Sequence, residues 1–280
     1  MDLIYFLYFL IVTPVFNPPE DWDAYINEKW GGTYNPFIHV DIGYGFPGQQ
    51  SFASEFSGVG TAGLKMGYTT YDKSQSFVYK LDEKYLFGKY VSSGIGEELA
   101  TTNQSSINTT SWGFGLGRKI GYGWKVGPFS LIPFNQNQLV LSGLEFTYPD
   151  SILESESNYL ARLEGDTRFG VSTEGGAEFY VAKAISVNAS FEATAVFPRF
   201  VFFHWIGSYA IQSISNTLIS YFSESIVKSS PLLGPIMYLI LKNAISFAWY
   251  YAIKREQYWP IPSETPFTME TIKLSASLTF

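Results

Sequence analysis

The sequence has no cysteine and only two histidines, His39 and His204, in 280 residues. Disulfides, iron–sulfur clusters and thiolate zinc sites are thereby excluded, and an imidazole-rich metal site lacks ligands. No cofactor is expected. Charge is scarce: 15% of residues are charged, against about 25% in ordinary soluble domains. The formal net charge is −7 and no cluster of five Lys or Arg exists, so a nucleic-acid partner has no basic surface to meet. There is no G-x-S-x-G, no P-loop and no H-E-x-x-H. The chain is short of Glu, Lys and Leu repeats, which excludes a coiled coil. Its mean hydropathy of +0.04 is too low for a polytopic helical bundle.

What it has instead is aromatic side chains (18%), 25 glycines and an apolar content of 46%, too high for a disordered chain. Residues 185–197 read ISVNASFEATAVF, with Ile185, Val187, Ala189, Phe191, Ala193, Ala195 and Phe197 in strict alternation with Ser186, Asn188, Ser190, Glu192 and Thr194. Period two puts one chemistry on each face of a strand. Soluble strands average five or six residues, whereas a tilted strand crossing a bilayer needs about 9–11. The same grammar recurs. Ile38, Val40, Ile42 and Tyr44 alternate with His39, Asp41 and Gly43, and Leu64, Met66 and Tyr68 alternate with small or charged neighbours. Trp112, Phe114, Leu116, Ile120, Tyr122, Trp124 and Val126 share one face, opposite Gly113, Gly115, Gly117, Gly121 and Gly123.

Large aromatics on one face and glycine or polar groups on the other suit a narrow barrel with its apolar side toward lipid. A soluble β-sandwich is the alternative that also alternates. Tyr and Trp at strand ends (Tyr44, Tyr68, Tyr71, Tyr90, Trp112, Trp124, Tyr148) match interfacial aromatic girdles. Eight strands are expected, at 36–46, 60–71, 76–91, 111–126, 129–147, 166–182, 185–197 and 268–280. Ten result if 129–147 is a hairpin broken at 135–137, where Pro133 argues against an undisturbed ladder. The connections alternate short and long, as in an antiparallel up-and-down β-barrel with tight turns on one side of a membrane and loops on the other.

The chain ends IKLSASLTF, with Ile272, Leu274, Ala276, Leu278 and Phe280 on one face. This resembles the last strand of bacterial outer-membrane β-barrels of the small eight-stranded type, which alternates and ends in an aromatic. The resemblance implies a Gram-negative outer-membrane location and a lipid-bilayer environment. It also implies that the barrel-assembly machinery reads Leu274, Ala276, Leu278 and Phe280.

Residues 3–16, LIYFLYFLIVTPVF, are too few for a comfortable span. Two readings stand for 1–17: an export signal peptide, although Asp2 sits where a basic residue is expected, or an apolar segment packed on the remainder. Residues 18–35 read as a short helix capped by Gly31 and Gly32, then a linker. The barrel domain then runs 36–280.

The period changes over 201–254, which predicts a two-helix insertion interrupted by Pro231 and Pro235. Trp205, Ile211, Leu218 and Phe222 on the first helix, and Leu239, Phe247, Trp249 and Tyr250 on the second, make an apolar surface that cannot stand in water. The expectation is docking on a protein partner in the membrane or on the barrel and outer leaflet. A cap over the barrel mouth and a membrane-spanning helix are the alternatives.

His39, Asp41, Lys65, Arg168, Glu178 and Glu192, with Glu174, are expected to form a polar network in the lumen. Buried charges there must pair or be hydrated, and an eight-stranded lumen is filled by side chains. A structural or interaction role is therefore expected. A small transport channel is the second reading. A lipid-modifying enzyme using His204, Ser208 and Glu224 is the third, although a His–Ser pair on an aromatic helix reads as packing.

Overall fold

The computed structural model describes residues 34–75, 77–96, 106–127, 129–182 and 184–280. The export segment expected at 1–17 and nearly all of the helix and linker expected at 18–35 lie outside these residues.

Eight antiparallel strands close into a barrel in chain order. They are β1 (Asn35–Gly48), β2 (Val59–Gln75), β3 (Val78–Ser92), β4 (Asn108–Val126), β5 (Phe129–Thr147), β6 (Arg168–Tyr180), β7 (Ile185–Val196) and β8 (Phe267–Thr279). The three longer helices among the described residues are α1 (Glu154–Leu163), between β5 and β6, and α2 (Phe202–Ser229) and α3 (Gly234–Arg255), between β7 and β8. A ten-stranded count does not hold: β5 is one unbroken strand of 19 residues. The polar Asn135 and Asn137 that suggested a break face outward, and Asn137 donates to Asn135 at 2.9 Å.

The alternation dictates the faces. Ile38, Val40, Ile42, Leu64, Met66, Leu86, Trp112, Phe114, Ile272, Leu274 and Leu278 are exposed on the outside. The intervening residues His39, Asp41, Lys65, Glu83, Lys119, Glu174, Glu178, Glu192 and Lys273 are buried inside. Strands cross a membrane only as such closed cylinders, apolar outside and with every backbone ladder paired. The chain is a closed eight-stranded antiparallel barrel with apolar side chains outside and charged ones within.

The pairings set the cylinder's width. Following paired residues once round leads from Pro36 through Tyr68, Lys84, Arg118, Asn137, Thr173, Ala193 and Glu270 to Phe46. The path returns to β1 ten residues beyond its start. That stagger tilts the strands by roughly 35–45° and leaves an interior only wide enough for side chains. Glycine makes the packing fit at Gly117, where a Cβ would run into the ring of Tyr85.

At the long-loop end an apolar cap closes the mouth. Tyr159, Leu160 and Leu163 of α1 pack with Ile107, Leu144, Phe146, Val196 and Phe267. The Tyr159 hydroxyl donates to the Thr265 carbonyl at 2.8 Å.

Candidate functional site

Two features stand apart from the generic barrel: a charged interior, and a helical hairpin on the outer wall.

Among the described residues, the interior holds four lysines and five carboxylates, layered between apolar ends. Leu81, Ile132 and Tyr180 cluster toward the short turns, and Val59, Val91 and Met269 toward the long loops. Lys273 is the hub of the upper group, reaching Glu174 at 2.8 Å, Glu192 at 3.2 Å and Asp41 at 3.5 Å. Lys65 also reaches Glu174, at 3.3 Å, and Lys89 reaches Glu192, at 3.2 Å. In the lower group Lys119 bridges Glu83, at 3.1 Å, and Glu178. Neutral groups complete the shells: Ser190 donates to Glu174 at 2.7 Å, Ser172 to Glu192 at 2.7 Å and Gln136 to Glu174 at 2.5 Å. Glu178 is 0% exposed and Lys119 1%. Removing one partner from such a cluster leaves an uncompensated buried charge.

His39, Asp41, Lys65, Glu178 and Glu192 all point into this interior, and His39 Nε2 has no hydrogen-bond partner among the described residues. Arg168 sits elsewhere, at the long-loop rim. Its guanidinium donates to the carbonyls of Leu163 and Pro198, each at 3.3 Å, and of Arg162, pinning the end of α1. Lys273, Lys119, Lys89 and Glu83 were missed as members. Alternation places each on the inward face, Lys119 in line with the glycines of β4 and Lys273 between Ile272 and Leu274.

The hairpin of α2 and α3 does not cap the mouth. It runs down the outer wall and back. At the short-turn end Glu224 of α2 accepts from Tyr122 at 3.0 Å and Lys80 at 3.3 Å, and Trp124 donates to the Pro231 carbonyl at 3.1 Å. At the long-loop end Tyr250 and Lys254 of α3 donate to Glu270 on β8, at 3.0 and 2.6 Å.

Between these ends α3 covers a polar strip on the wall. Asn135 donates to Asn243 at 2.9 Å, and Asn243 donates to the Phe134 carbonyl at 3.3 Å. Gly175 lets α3 approach, because a Cβ there would strike the Asn243 carboxamide. Phe191 meets Phe247 at 5.6 Å between ring centroids. Lys242 turns into the hairpin and donates to Ser220 Oγ at 2.9 Å and the Asn216 carbonyl at 3.3 Å.

The candidate interaction residues therefore divide. Trp205, Trp249 and Tyr250 are buried, Trp205 against Phe169 and Trp249 against Trp259. Leu239 and Phe247 are half-buried. Ile211, Leu218 and Phe222 face away from the barrel, Leu218 with 65% of its surface exposed. Leu274, Ala276, Leu278 and Phe280 line the outer surface of the last strand.

The His204, Ser208 and Glu224 constellation does not assemble. Ser208 donates to the Trp259 carbonyl at 2.7 Å, and His204 lies edge-on to Tyr258. Glu224 lies farther along the same unbroken helix, about 30 Å from His204 and about 24 Å from Ser208 at 1.5 Å per residue.

One carboxylate outside the barrel strands is well held. Glu156 of α1 accepts from the Ala53 amide at 2.6 Å and the Ser54 hydroxyl at 2.6 Å. Burial pushes its carboxyl up, but these hydrogen bonds outweigh burial and hold it below its ordinary range.

No protein-family model matches the sequence, and no curated protein matches it. Among solved structures the chain is similar to Neisserial surface protein A (NspA), at 7% identity and a TM-score of 0.37, over 88% of this chain and 97% of that one. It is also similar to Ail, the attachment invasion locus protein of Yersinia pestis, at 7% identity and a TM-score of 0.29, over 88% of this chain and 98% of that one.

Proposed function

We propose that the protein is a non-conducting barrel of the bacterial outer membrane with a structural or interaction role, acting through its outer surfaces and not through its lumen. The observation that carries this reading is the filled interior. Four lysines and five carboxylates are paired in the cross-section, apolar layers lie at each end, and the α1 cap closes the outer mouth. An ion entering would have to break charge pairs in a site of low dielectric.

The elaborated parts are outside. The hairpin of α2 and α3 adds an apolar surface that a simple barrel lacks, and its role is contact with a membrane protein or with lipid. Leu274, Ala276, Leu278 and Phe280 are the strip offered to the assembly machinery, in line with the resemblance of the last strand to those of outer-membrane barrels.

Conductance in planar bilayers tests the reading. The refolded full chain is expected to give no steady single-channel current, and a stable open level would replace this reading with that of a small channel. Unchanged membrane lipids with His204→Ala would remove the lipid-modifying alternative.

A further inference from the structure

We infer that α2 and α3 are embedded in the same bilayer as the barrel, and that the outward face of the hairpin meets lipid acyl chains. This rests on the reading of the barrel as a membrane protein and names the partner of the largest surface that the reading leaves open.

The helices have the dimensions. With 28 and 22 residues they extend about 42 and 33 Å at 1.5 Å per residue, enough to pass a hydrocarbon core of about 30 Å. Their contacts with Trp124 at one end and Glu270 at the other carry them along the height of the wall.

Charge is distributed as a bilayer demands. Residues 205–223 of α2 contain none, and Glu224 and Lys228 lie at its lower end. On α3 the terminal Lys254 and Arg255 lie at the upper end, and Lys242 is turned inward onto Asn216 and Ser220. Asn243 faces the barrel wall.

Four hydroxyls in the middle of α2 are satisfied within the helix. Ser215, Thr217, Ser220 and Ser223 donate to the carbonyls of Ile211, Ser213, Asn216 and Ile219, at 2.6–2.9 Å. Bonding to the carbonyl four residues back leaves no donor for a solvent that cannot accept one. Exposed on the outward side are Ile211, Ile214, Leu218, Tyr221 and Phe222 on α2, with Ile236 and Ile240 on α3, and Thr217 lies among them with its hydroxyl bonded inside the helix. Apolar side chains are exposed on the barrel wall as well, among them Ile42, Leu64 and Leu274.

Single cysteines test this cleanly, since the sequence has none. Ile214→Cys, Leu218→Cys and Ile240→Cys are labelled with bimane in the full chain reconstituted into phosphatidylcholine vesicles. Ile42→Cys on the barrel wall and Ser246→Cys, at a buried site where α3 meets Asn135 of the wall, serve as references. Emission is then read with doxyl-phosphatidylcholine in the bilayer or iodide in the buffer.

The expected result is loss of emission to doxyl lipid at 214, 218 and 240 equal to that at 42, no loss to iodide, and shielding from both at 246. If 42 responds to lipid while the hairpin positions respond to iodide, the hairpin stands in water: the proposal fails and the barrel reading survives. If the hairpin positions are shielded from both quenchers, a protein surface covers them and the proposal fails. If 42 itself responds to iodide, the membrane reading fails with it. Labels on two helices keep the test decisive should one variant fold poorly.

Discussion

The carboxamide of Asn243 on α3 is joined to that of Asn135 on β5 at 2.9 Å, across the boundary between a helix and the outer wall of a barrel. Asn135 is only 3% exposed, covered by the helix. Each makes the other tolerable there.

Asn243→Leu is therefore expected to destabilise the folded protein by about 1–3 kcal/mol, the cost of leaving a buried polar partner unmet. Asn135→Leu should cost a similar amount, and the double variant should recover most of it. The midpoints of urea unfolding from detergent micelles, compared as a double-mutant cycle, measure this. Additive losses would show that the pair is not coupled.

Lys273 neutralises Glu174, Glu192 and Asp41 together. Lys273→Met is expected to cost roughly 3–5 kcal/mol, the range for a broken buried ion pair. Lys89→Met, which relieves Glu192 alone at the edge of the cluster, should cost less. The fraction of each variant reaching the compact, heat-modifiable form on gels checks the ranking.

Glu156 ties α1 to the loop at residues 53–54 as a carboxylate. Its folded-state pKa is depressed, so the contribution to stability is fully present above the unfolded value, about 4.3 for Glu, and is lost as pH falls through the folded one. Hydrogen exchange in α1 should be unchanged between pH 8 and 5 after correction for intrinsic rates, then quicken below about pH 4. Glu156→Gln should flatten that dependence.

Arg168 holds the last turn of α1 through backbone carbonyls. Arg168→Ala is expected to raise protease cleavage within 148–167 while leaving the barrel core resistant. Loss of the whole barrel would place Arg168 in the core of the fold.

Much of this architecture is legible in the residues because a barrel strand is a local pattern. Ile185 to Phe197 declares its two faces without reference to any other strand, and all eight strands are found within a few residues of their ends. The inward face is legible by the same rule, which makes Lys273 and Lys119 recoverable from alternation alone. Arg168 misleads because alternation gives a face but not a depth, and at the rim the inward face meets a loop. The hairpin is the harder case. α3 is apolar nearly all round, so no periodic stripe marks the side that meets the wall. That side is chosen by Gly175 and Asn135, more than sixty residues earlier, through a space for one helix and a hydrogen bond to it.

The ten-residue stagger of the cylinder has a consequence for how the gene can change. Each strand is clamped by ladders on both sides, and the ring has no free margin into which a misfit can slide. One codon gained or lost in mid-strand would invert every later side chain of that strand, carrying lysines into oil and leucines into the ion cluster. Growth is tolerated only between strands, which is where the chain has acquired its α1 cap and its pair of long helices.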